Sequence, residues 1–344
     1  MAMDLDLANK TLAELEQIAE KLGQKKYVAK YIFSFIHSKN TLDISQITPL
    51  SKALRDQLLK QGYYISSLKT LRKLTDSDGT IKYLFELPDK KTIETVLLFD
   101  DKRRTLCVST QVGCAMGCTF CATAKIKLKR DLTAAEIAAQ VNAVQNDKYK
   151  ITNIVYMGMG EPMLNYDNVL RSIRILNHPA GKNFAIRHLA ISTCGIVPAI
   201  NRLANEDIFP RLAVSLNAPT DSLRSKLMGI NKKFPLRPLL KAIQLYQLKT
   251  KHRVTFEYIL IKDVNDSTAD AHALVKLIRN IRCNVNLIGY NPHPGCKFTS
   301  SDKRTIGKFR EILDKNKIET AVRLKRGLQI KAACGQLGAD WKNR

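Results

Sequence analysis

Of the eight cysteines in this chain of 344 residues, three stand together in Gly113-Cys114-Ala115-Met116-Gly117-Cys118-Thr119-Phe120-Cys121. The spacing is C-x3-C-x2-C, and its small residues let a short loop fold around a compact ligand. A structural zinc ion takes four protein ligands, commonly from two C-x-x-C pairs, and a catalytic zinc more often mixes in histidine or carboxylate. No cysteine pair elsewhere completes such a site by spacing. An iron-sulfur cubane normally takes four cysteines, so three thiolates leave one iron open to a small-molecule ligand. Cys114, Cys118 and Cys121 therefore point to a 4Fe-4S cluster with one coordination site to spare.

Such a loop needs a scaffold that aims other groups at it. From Thr105 onwards short apolar runs at 106–108, 154–157, 189–192, 212–216, 255–261 and 285–288 alternate with helical patterns, one of which opens on the capping box of Thr133 and Glu136. Repeated strand-helix units imply a parallel sheet with right-handed crossovers. About six units suit a partial (β/α)6 barrel better than a closed eight-fold one, which takes ~250 residues. In barrels of this kind chemistry gathers at the C-terminal ends of the strands. Here those ends carry the cysteine loop, Gly158-Met159-Gly160-Glu161-Pro162, Ser192-Thr193, Ser215-Leu216-Asn217 and Asn291-Pro292, which together define one rim.

The organisation reads as α/β in three parts. Residues 1–65 form a small helical unit. Thr11 with Glu14 makes a capping box ahead of Leu12, Leu15, Ile18, Ala19 and Leu22; further helices carry Tyr31, Ile32, Phe35 and Ile36, then Leu54, Leu58 and Leu59. Lys25, Lys26, Lys30, Lys52, Arg55 and Lys60 lie on polar faces that serve either as a solvated surface or as an RNA contact. Residues 66–104 alternate like an antiparallel β-extension, with Asp78-Gly79 as a hairpin turn and Pro88-Asp89 as the next break. Residues 105–344 hold the barrel and a C-terminal segment around Cys334.

Fifty-six Lys and Arg against 31 Asp and Glu leave a formal charge of +25. That imbalance costs self-repulsion and favours a polyanionic partner, nucleic acid first. The acidic opening, MAMDLDLANK, does not resemble a secretory signal, and no apolar run approaches the ~18 residues of a membrane span, so a cytoplasmic protein without a membrane partner is expected. Eight cysteines are too few for a disulfide scaffold in a chain this long, and clustered cysteines in a reducing compartment point to metal or redox chemistry.

The C-x3-C-x2-C loop, with Phe120 before its last cysteine, resembles the signature of the radical S-adenosylmethionine superfamily. The phrases 157–165, Ser192-Thr193 with Gly195-Ile196-Val197-Pro198, Asn265-Asp266, Tyr290-Asn291-Pro292 and Ala332-Ala333-Cys334-Gly335-Gln336-Leu337 extend the resemblance over essentially the whole chain to the RlmN/Cfr methyltransferases. That resemblance implies methylation of an adenosine of 23S rRNA, and of adenosine 37 of tRNA in many relatives, using two S-adenosylmethionine molecules per turnover. It implies that Cys334 carries the methyl group, that Cys107 resolves a covalent protein-RNA adduct by forming a disulfide, and that Glu94 is the general base. It carries S-adenosylmethionine contacts onto Gly160, Glu161, Ser192, Ser215, Leu216, Asn217 and Asn291. An electron donor such as flavodoxin or ferredoxin is implied, and a monomer is expected.

Read from the residues alone, Cys107 alternates with Leu106 and Val108 and could simply face a core, and Glu94 could be an exposed strand glutamate. The distance in sequence between Cys107 and Cys334 is bridged if the last strand of the barrel returns beside the first. Lys125, Lys127, Lys129 and Arg130 follow the cluster loop and suit a rim that meets RNA phosphates. Cys194, Cys283 and Cys296 receive no role; Cys194 and Gln329 stand where relatives often carry an apolar residue and Asp. Met163-Leu164-Asn165 after Glu161-Pro162 resembles the RlmN branch, which methylates C2, more than the Cfr branch, which methylates C8. A metal-stabilised RNA-binding protein without catalysis is the other class of reading, and it leaves Glu161, Asn291 and Cys334 unexplained together. Iron and acid-labile sulfide analysis separates the two: the enzyme carries both in anaerobically purified protein, and a chain holding only a simple metal ion carries no sulfide.

Overall fold

The computed structural model describes residues 5–338; the first four residues of the opening stretch weighed as a signal, and residues 339–344, lie outside it. Three helices open the chain: α1 (Leu12–Lys21), α2 (Tyr27–His37) and α3 (Lys52–Lys60). Both halves of the Thr11–Glu14 capping box form, and Ser51 caps α3 through the amide of Leu54. Leu15, Ala19, Ile32, Phe33, Ile36, Leu54 and Leu58 point inward from these helices. The unit is tied to the rest of the chain by Arg171, whose guanidinium donates to Glu14 at 2.7 Å, and by the amide of Ala135, which donates to Asn9 Oδ1 at 3.1 Å.

Next come β1 (Lys69–Thr75), β2 (Ile81–Glu86), β3 (Thr92–Asp100) and β4 (Arg103–Cys107), a meander whose successive strands pair antiparallel. The β1–β2 connection turns at Asp78-Gly79, where Gly79 has φ 83° and the Thr80 amide donates to Asp78 Oδ1 at 2.8 Å. A short ribbon, β5 (Gln111–Val112) with β6 (Arg130–Asp131), pinches the base of the cysteine loop. The chain continues through α4 (Ala134–Asn146), β7 (Asn153–Tyr156), α5 (Tyr166–Asn177), β8 (Leu189–Thr193), α6 (Val197–Leu203) and β9 (Arg211–Ser215). It ends with α7 (Asp221–Leu227), α8 (Leu236–Thr250), β10 (Val254–Leu260), α9 (Thr268–Ile278), β11 (Cys283–Gly289), α10 (Lys303–Lys315) and β12 (Glu319–Arg323).

All long strands join one sheet in the order β1-β2-β3-β4-β7-β8-β9-β10-β11-β12, parallel from β4 onwards. The antiparallel extension is thus a continuation of the barrel wall. The six parallel strands expected from the sequence are present. A seventh, β12, adds to the far edge; its Glu-Thr-Ala-Val-Arg composition and mostly exposed residues give an edge strand no apolar run to read. Being an edge strand far from β4, β12 does not return beside the first strand, so Cys334 approaches Cys107 by another route, described below.

Register decides which face each residue joins, because aligned residues of parallel neighbours point the same way. Leu106, Ile154, Leu189, Ile191, Leu212, Val214, Phe256, Tyr258, Val285 and Leu287 are all at most 2% exposed and form the helix-covered face. The alternate row runs from Cys107 to Val155 and Ala190, then from Ser192 through Ala213, and from Ser215 to Glu257 and Asn286. This second face lines the lumen and is only partly covered. Cys107 therefore looks into the lumen, not into the helix-side core.

His37, at the end of α2, is buried with its ring 4.6 Å from that of Phe33. Burial first, then the charges of Lys182 and His178, push its pKa from 6.5 down to about 3. The fold thus requires neutral His37, whose stabilising contribution is full above pH 6.5 and is lost as pH falls toward 3. Between pH 7 and pH 5 the wild-type protein should lose about 2 kcal/mol more than His37→Leu, read as the difference in urea midpoints at the two pH values.

Candidate active site

The cysteine loop folds back on itself because Gly113 adopts φ 81° and has no side chain; a Cβ there would lie 2.5 Å from the Lys127 carbonyl oxygen. The Cys114 amide then donates to Ile126 O at 3.0 Å, and the Cys121 amide to Cys118 O at 3.1 Å. Burial pushes the Cys114 thiol up to about 12 and raises Cys118 and Cys121 as well; the charges of Cys121 and Cys114 add to the rise at Cys118. Among the described residues no three His, Cys, Asp or Glu side chains are placed to hold a single metal ion. Three cysteines on one short, back-folded loop suit a cubane, which takes one thiolate per iron and whose charge would offset theirs.

Facing the loop from the segment after β7 is Glu161, 4% exposed. Its carboxylate accepts from the Met163 amide at 3.0 Å and the Cys194 amide at 2.8 Å, while burial raises its pKa above the ordinary range. Gly160 holds φ 102° with Gln111 packed against it so closely that a Cβ would lie 2.6 Å away. Gln111 in turn accepts from the Glu161 amide at 2.8 Å, joining the two loops that face each other across the rim.

Ser192 and Ser215 both sit on the lumen row. Leu216 does not join them: its side chain is buried on the helix face, its amide donates to Glu257 O and its carbonyl accepts from Arg224. Asn217, at φ 58°, spends its side-chain oxygen on the Ile259 amide, 2.9 Å away, while its amide nitrogen meets only the Met228 sulfur at 3.3 Å. Asn291 donates to Cys334 O at 3.1 Å and keeps a buried side-chain oxygen with no partner among the described residues. An orphaned buried acceptor costs free energy unless a ligand donates to it. Glu161, Asn217 and Asn291 thus offer an acceptor, a donor and an acceptor around one opening, which fits the amino, ribose and adenine groups of S-adenosylmethionine.

The C-terminal segment is strapped across this opening. The Ala122 amide donates to Gly335 O at 2.7 Å, Thr123 Oγ1 to Leu337 O at 2.7 Å, and Gln336 Nε2 to Pro292 O at 2.7 Å. His293 Nε2 lies 3.2 Å from Phe120 O, latching the loop after β11 to the cysteine loop. Glu94, 6% exposed and so no surface glutamate, accepts from the Gly338 amide at 2.8 Å and pairs with the buried Lys82 ammonium at 3.4 Å. Cys334 remains solvent-exposed, while surrounding protein, Glu257 and Cys121 raise its thiol and Arg323 opposes them. Burial, with Cys334 as the next influence, raises Cys107 far above the ordinary thiol range. The strap, and not a returning strand, carries Cys334 to where its charge is felt by Cys107.

Several residues at the site carry no short motif in the sequence. Arg224 is fully buried and donates to Leu216 O at 3.0 Å, Asn231 Oδ1 at 3.0 Å, Cys194 O at 2.6 Å and Ser215 O at 3.1 Å. Lys82 and Glu257 are likewise buried charges, and only their alternation with apolar strand residues hints at an inward face. Cys194 packs beside Glu161 and Cys118, and Cys296 Sγ reaches Thr119 O at 3.7 Å. The basic rim is smaller than expected: Arg130 is spent on Asp89 at 2.7 Å and Glu136 at 2.8 Å, and Lys125 donates to Pro294 O at 2.9 Å, leaving Lys127 and Lys129 exposed.

A parallel partial barrel with a three-cysteine loop after its first parallel strand and a buried polar set at the neighbouring strand ends defines a class, and comparison with known proteins names it. Residues 108–275 match the family described as the Radical SAM superfamily, and residues 5–63 match the Ribosomal RNA large subunit methyltransferase N-terminal domain. The dual-specificity RNA methyltransferase RlmN of Syntrophobacter fumaroxidans is 45% identical over 96% of this chain and 97% of its own. That of Geotalea uraniireducens is 44% identical over 97% and 96%. The crystal structure of a radical SAM methyltransferase from Sphaerobacter thermophilus superposes with a TM-score of 0.92 at 44% identity, covering 98% of this chain and 100% of that one. The chain belongs to the RlmN family of radical S-adenosylmethionine RNA methyltransferases. Membership implies a 4Fe-4S cluster and S-adenosylmethionine, which the cysteine loop and the polar set suit.

Arg224 bears directly on this arrangement, since it ties the ends of β8 and β9 together beneath the rim. Arg224→Met should lower stability by about 3–5 kcal/mol by leaving its acceptors buried and unpaired. Arg224→Lys should recover little, because one ammonium cannot reach four acceptors spread as a fork. Melting temperature and iron content of the purified variants check both.

Proposed function

We propose that this methyltransferase acts on C2 of an adenosine in 23S rRNA and on adenosine 37 of tRNA, through a methyl group first carried on Cys334. What supports the reading is that the strap bearing Cys334 is bonded to the cysteine loop, within electrostatic reach of Cys107, with Glu94 buried where the strap ends. C2 of adenine is electron-poor and does not attack a methylsulfonium, so a polar methyl transfer to the base is unavailable. Cys334, exposed in the lumen, is the nucleophile that a first S-adenosylmethionine can methylate. The cluster, once bound, supplies the electron that cleaves a second S-adenosylmethionine and so makes radical chemistry available at the methylated Cys334.

The remaining steps fall to side chains already in place. Glu94 takes the proton from the modified base carbon, which requires its carboxylate to exchange the Gly338 amide for substrate. Cys107 then closes a disulfide with Cys334 and frees the RNA. Glu161, Ser192, Ser215, Asn217 and Asn291 orient S-adenosylmethionine, with Gly160 allowing close approach of the backbone. The net positive charge, with Lys127 and Lys129 on the rim, favours an RNA partner. An electron donor of the flavodoxin or ferredoxin kind, a monomeric enzyme and a cytoplasmic site of action, where ribosomes and tRNA are, complete the proposal. The Met163-Leu164-Asn165 segment favours C2 over C8. It fixes the rim: the Met163 amide donates to Glu161, and buried Asn165 donates to Thr110 O at 2.8 Å and Leu132 O at 2.7 Å.

Anaerobic incubation of reconstituted enzyme with S-adenosylmethionine, reductant and unmodified 23S rRNA or tRNA, followed by nucleoside mass spectrometry, tests this. The expected results are 2-methyladenosine with wild type, none with Cys334→Ala, and a trapped protein-RNA adduct with Cys107→Ala. 8-Methyladenosine would overturn the C2 assignment, and product from Cys334→Ala would overturn the methyl-carrier role.

A further inference from the structure

We propose that Lys82 is the positioning residue for Glu94: it keeps the buried carboxylate ionised and ties it to the strap that bears Cys334. The inference rests on Glu94 being the general base and names the group that lets a carboxylate serve as one in so dry a place.

Strand pairing sets the geometry. Lys82 of β2 stands opposite Val96 of β3, and Val96 stands opposite Cys107 of β4, so all three share the lumen face. Glu94, two residues from Val96 and opposite Leu84, lies on the same face one step nearer the rim, where Ser109 Oγ donates to its carbonyl at 2.6 Å. Lys82 reaches it diagonally, with Nζ 3.4 Å from Glu94 Oε1 and both side chains at most 7% exposed. The same ammonium donates to Lys331 O at 3.3 Å, and Glu94 Oε2 accepts from the Gly338 amide at 2.8 Å. The pair therefore grips the strap at two points, one on either side of Cys334. Chain leading into the strap is docked on the β1–β2 turn, where the Gly327 amide donates to Asp78 at 2.8 Å and the Gln329 amide to Asp76 at 2.9 Å.

A buried Lys–Glu pair adds little net stability over apolar side chains of the same volume, because both charges are stripped of water. What it does supply is a carboxylate that stays ionised; without a cation beside it, a carboxylate so enclosed would take up a proton and cease to be a base. In the proposed step the C–H bond at the modified base carbon breaks, its electron pair stays with the ring and the proton goes to Glu94, with no electron added or removed. Reaching the base requires Glu94 to give up the Gly338 amide, which is bonded to Oε2. Lys82 holds Oε1, so its contact persists through the exchange. The titratable groups sharing this face are Lys82 from β2 and Cys107 from β4; the strap contributes the Lys331 carbonyl and the Gly338 amide, and Asp76 and Asp78 are spent on strap amides.

The test uses cluster-loaded holoenzyme in a single anaerobic turnover with S-adenosylmethionine, reductant and unmodified RNA. Protein-RNA adduct is read on denaturing gels and released methyladenosine by mass spectrometry. Lys82→Gln keeps a donor for Lys331 O and removes the charge. It should accumulate adduct and slow release on the order of 100-fold at neutral pH, with methyl label on Cys334 still formed. The deficit should shrink as pH rises and the carboxyl ionises again, and Lys82→Arg should restore part of the rate. In Lys82→Gln/Glu94→Gln release should be no slower than in Glu94→Gln alone, because Lys82 acts only through the carboxylate. Wild-type release by Lys82→Gln, a deficit independent of pH, or a further loss in the double variant overturns the proposal. Wild-type release by Glu94→Gln instead overturns the general-base reading beneath it. If Lys82→Gln does not yield folded protein, the double variant, which buries neither charge of the pair, still decides by comparison with Glu94→Gln.

Discussion

A parallel sheet has two faces to satisfy, and in this chain only one of them is sealed. Helices cover the row from Leu106 to Leu287 so fully that those side chains are at most 2% exposed. The opposite row, from Cys107 through Ser192 and Ser215 to Glu257 and Asn286, curves into a lumen that helices do not reach. Everything chemical follows from that asymmetry. Apolar burial on one face stabilises the barrel, which leaves the other free to carry thiols, amides and a carboxylate that would be intolerable in a sealed core.

Part of the open face is then covered by chain from outside the barrel. The segment from Ala332 to Gly338 has no regular structure, and its position is set by hydrogen bonds to the cysteine loop, to the loop after β11 and to Glu94. Cys334 is held there by its backbone while its side chain stays accessible. That division of labour suits the role proposed for Cys334, which needs a fixed backbone and a reachable thiol. Glu94 is bound into the same arrangement from the antiparallel side, paired with Lys82 in a setting where loss of either partner would leave an uncompensated charge.

The buried charges share one logic. Arg224 and Glu161 sit where strand ends and loops would otherwise present carbonyls or amides to a low-dielectric interior, while Lys82 and Glu257, within strands, are matched by the side chains of Glu94 and Asn286. Arg224 collects four acceptors beneath the rim, and Glu161 two amides. Such groups rigidify the rim and keep the cofactor-facing atoms where they are, at an electrostatic cost that a purely structural protein would not carry.

Local chemistry made much of this legible in the linear chain. The C-x3-C-x2-C spacing announces a cluster because three thiolates within one short loop must converge, and capping boxes at Thr11 and Thr133 announce helix starts because they satisfy backbone groups within four residues. Glu161 and Asn291 are readable from their places after strands. Four things were not readable. β12 lacks an apolar run because an edge strand needs none. The lumen-facing direction of Cys107 and Glu257 follows from register between strands distant in sequence. The sequestration of Arg130 by Asp89 and Glu136 depends on how the ribbon packs. The approach of Cys334 to the face that holds Cys107 is made by a strap anchored to residues distant in sequence, Ala122, Thr123, Pro292 and Glu94. Sequence by itself determined which residue types could do the chemistry and which elements would bear them, since those are matters of spacing and propensity. Tertiary structure alone decided which of them share one open face, because that depends on register and on long-range hydrogen bonds that no local pattern encodes.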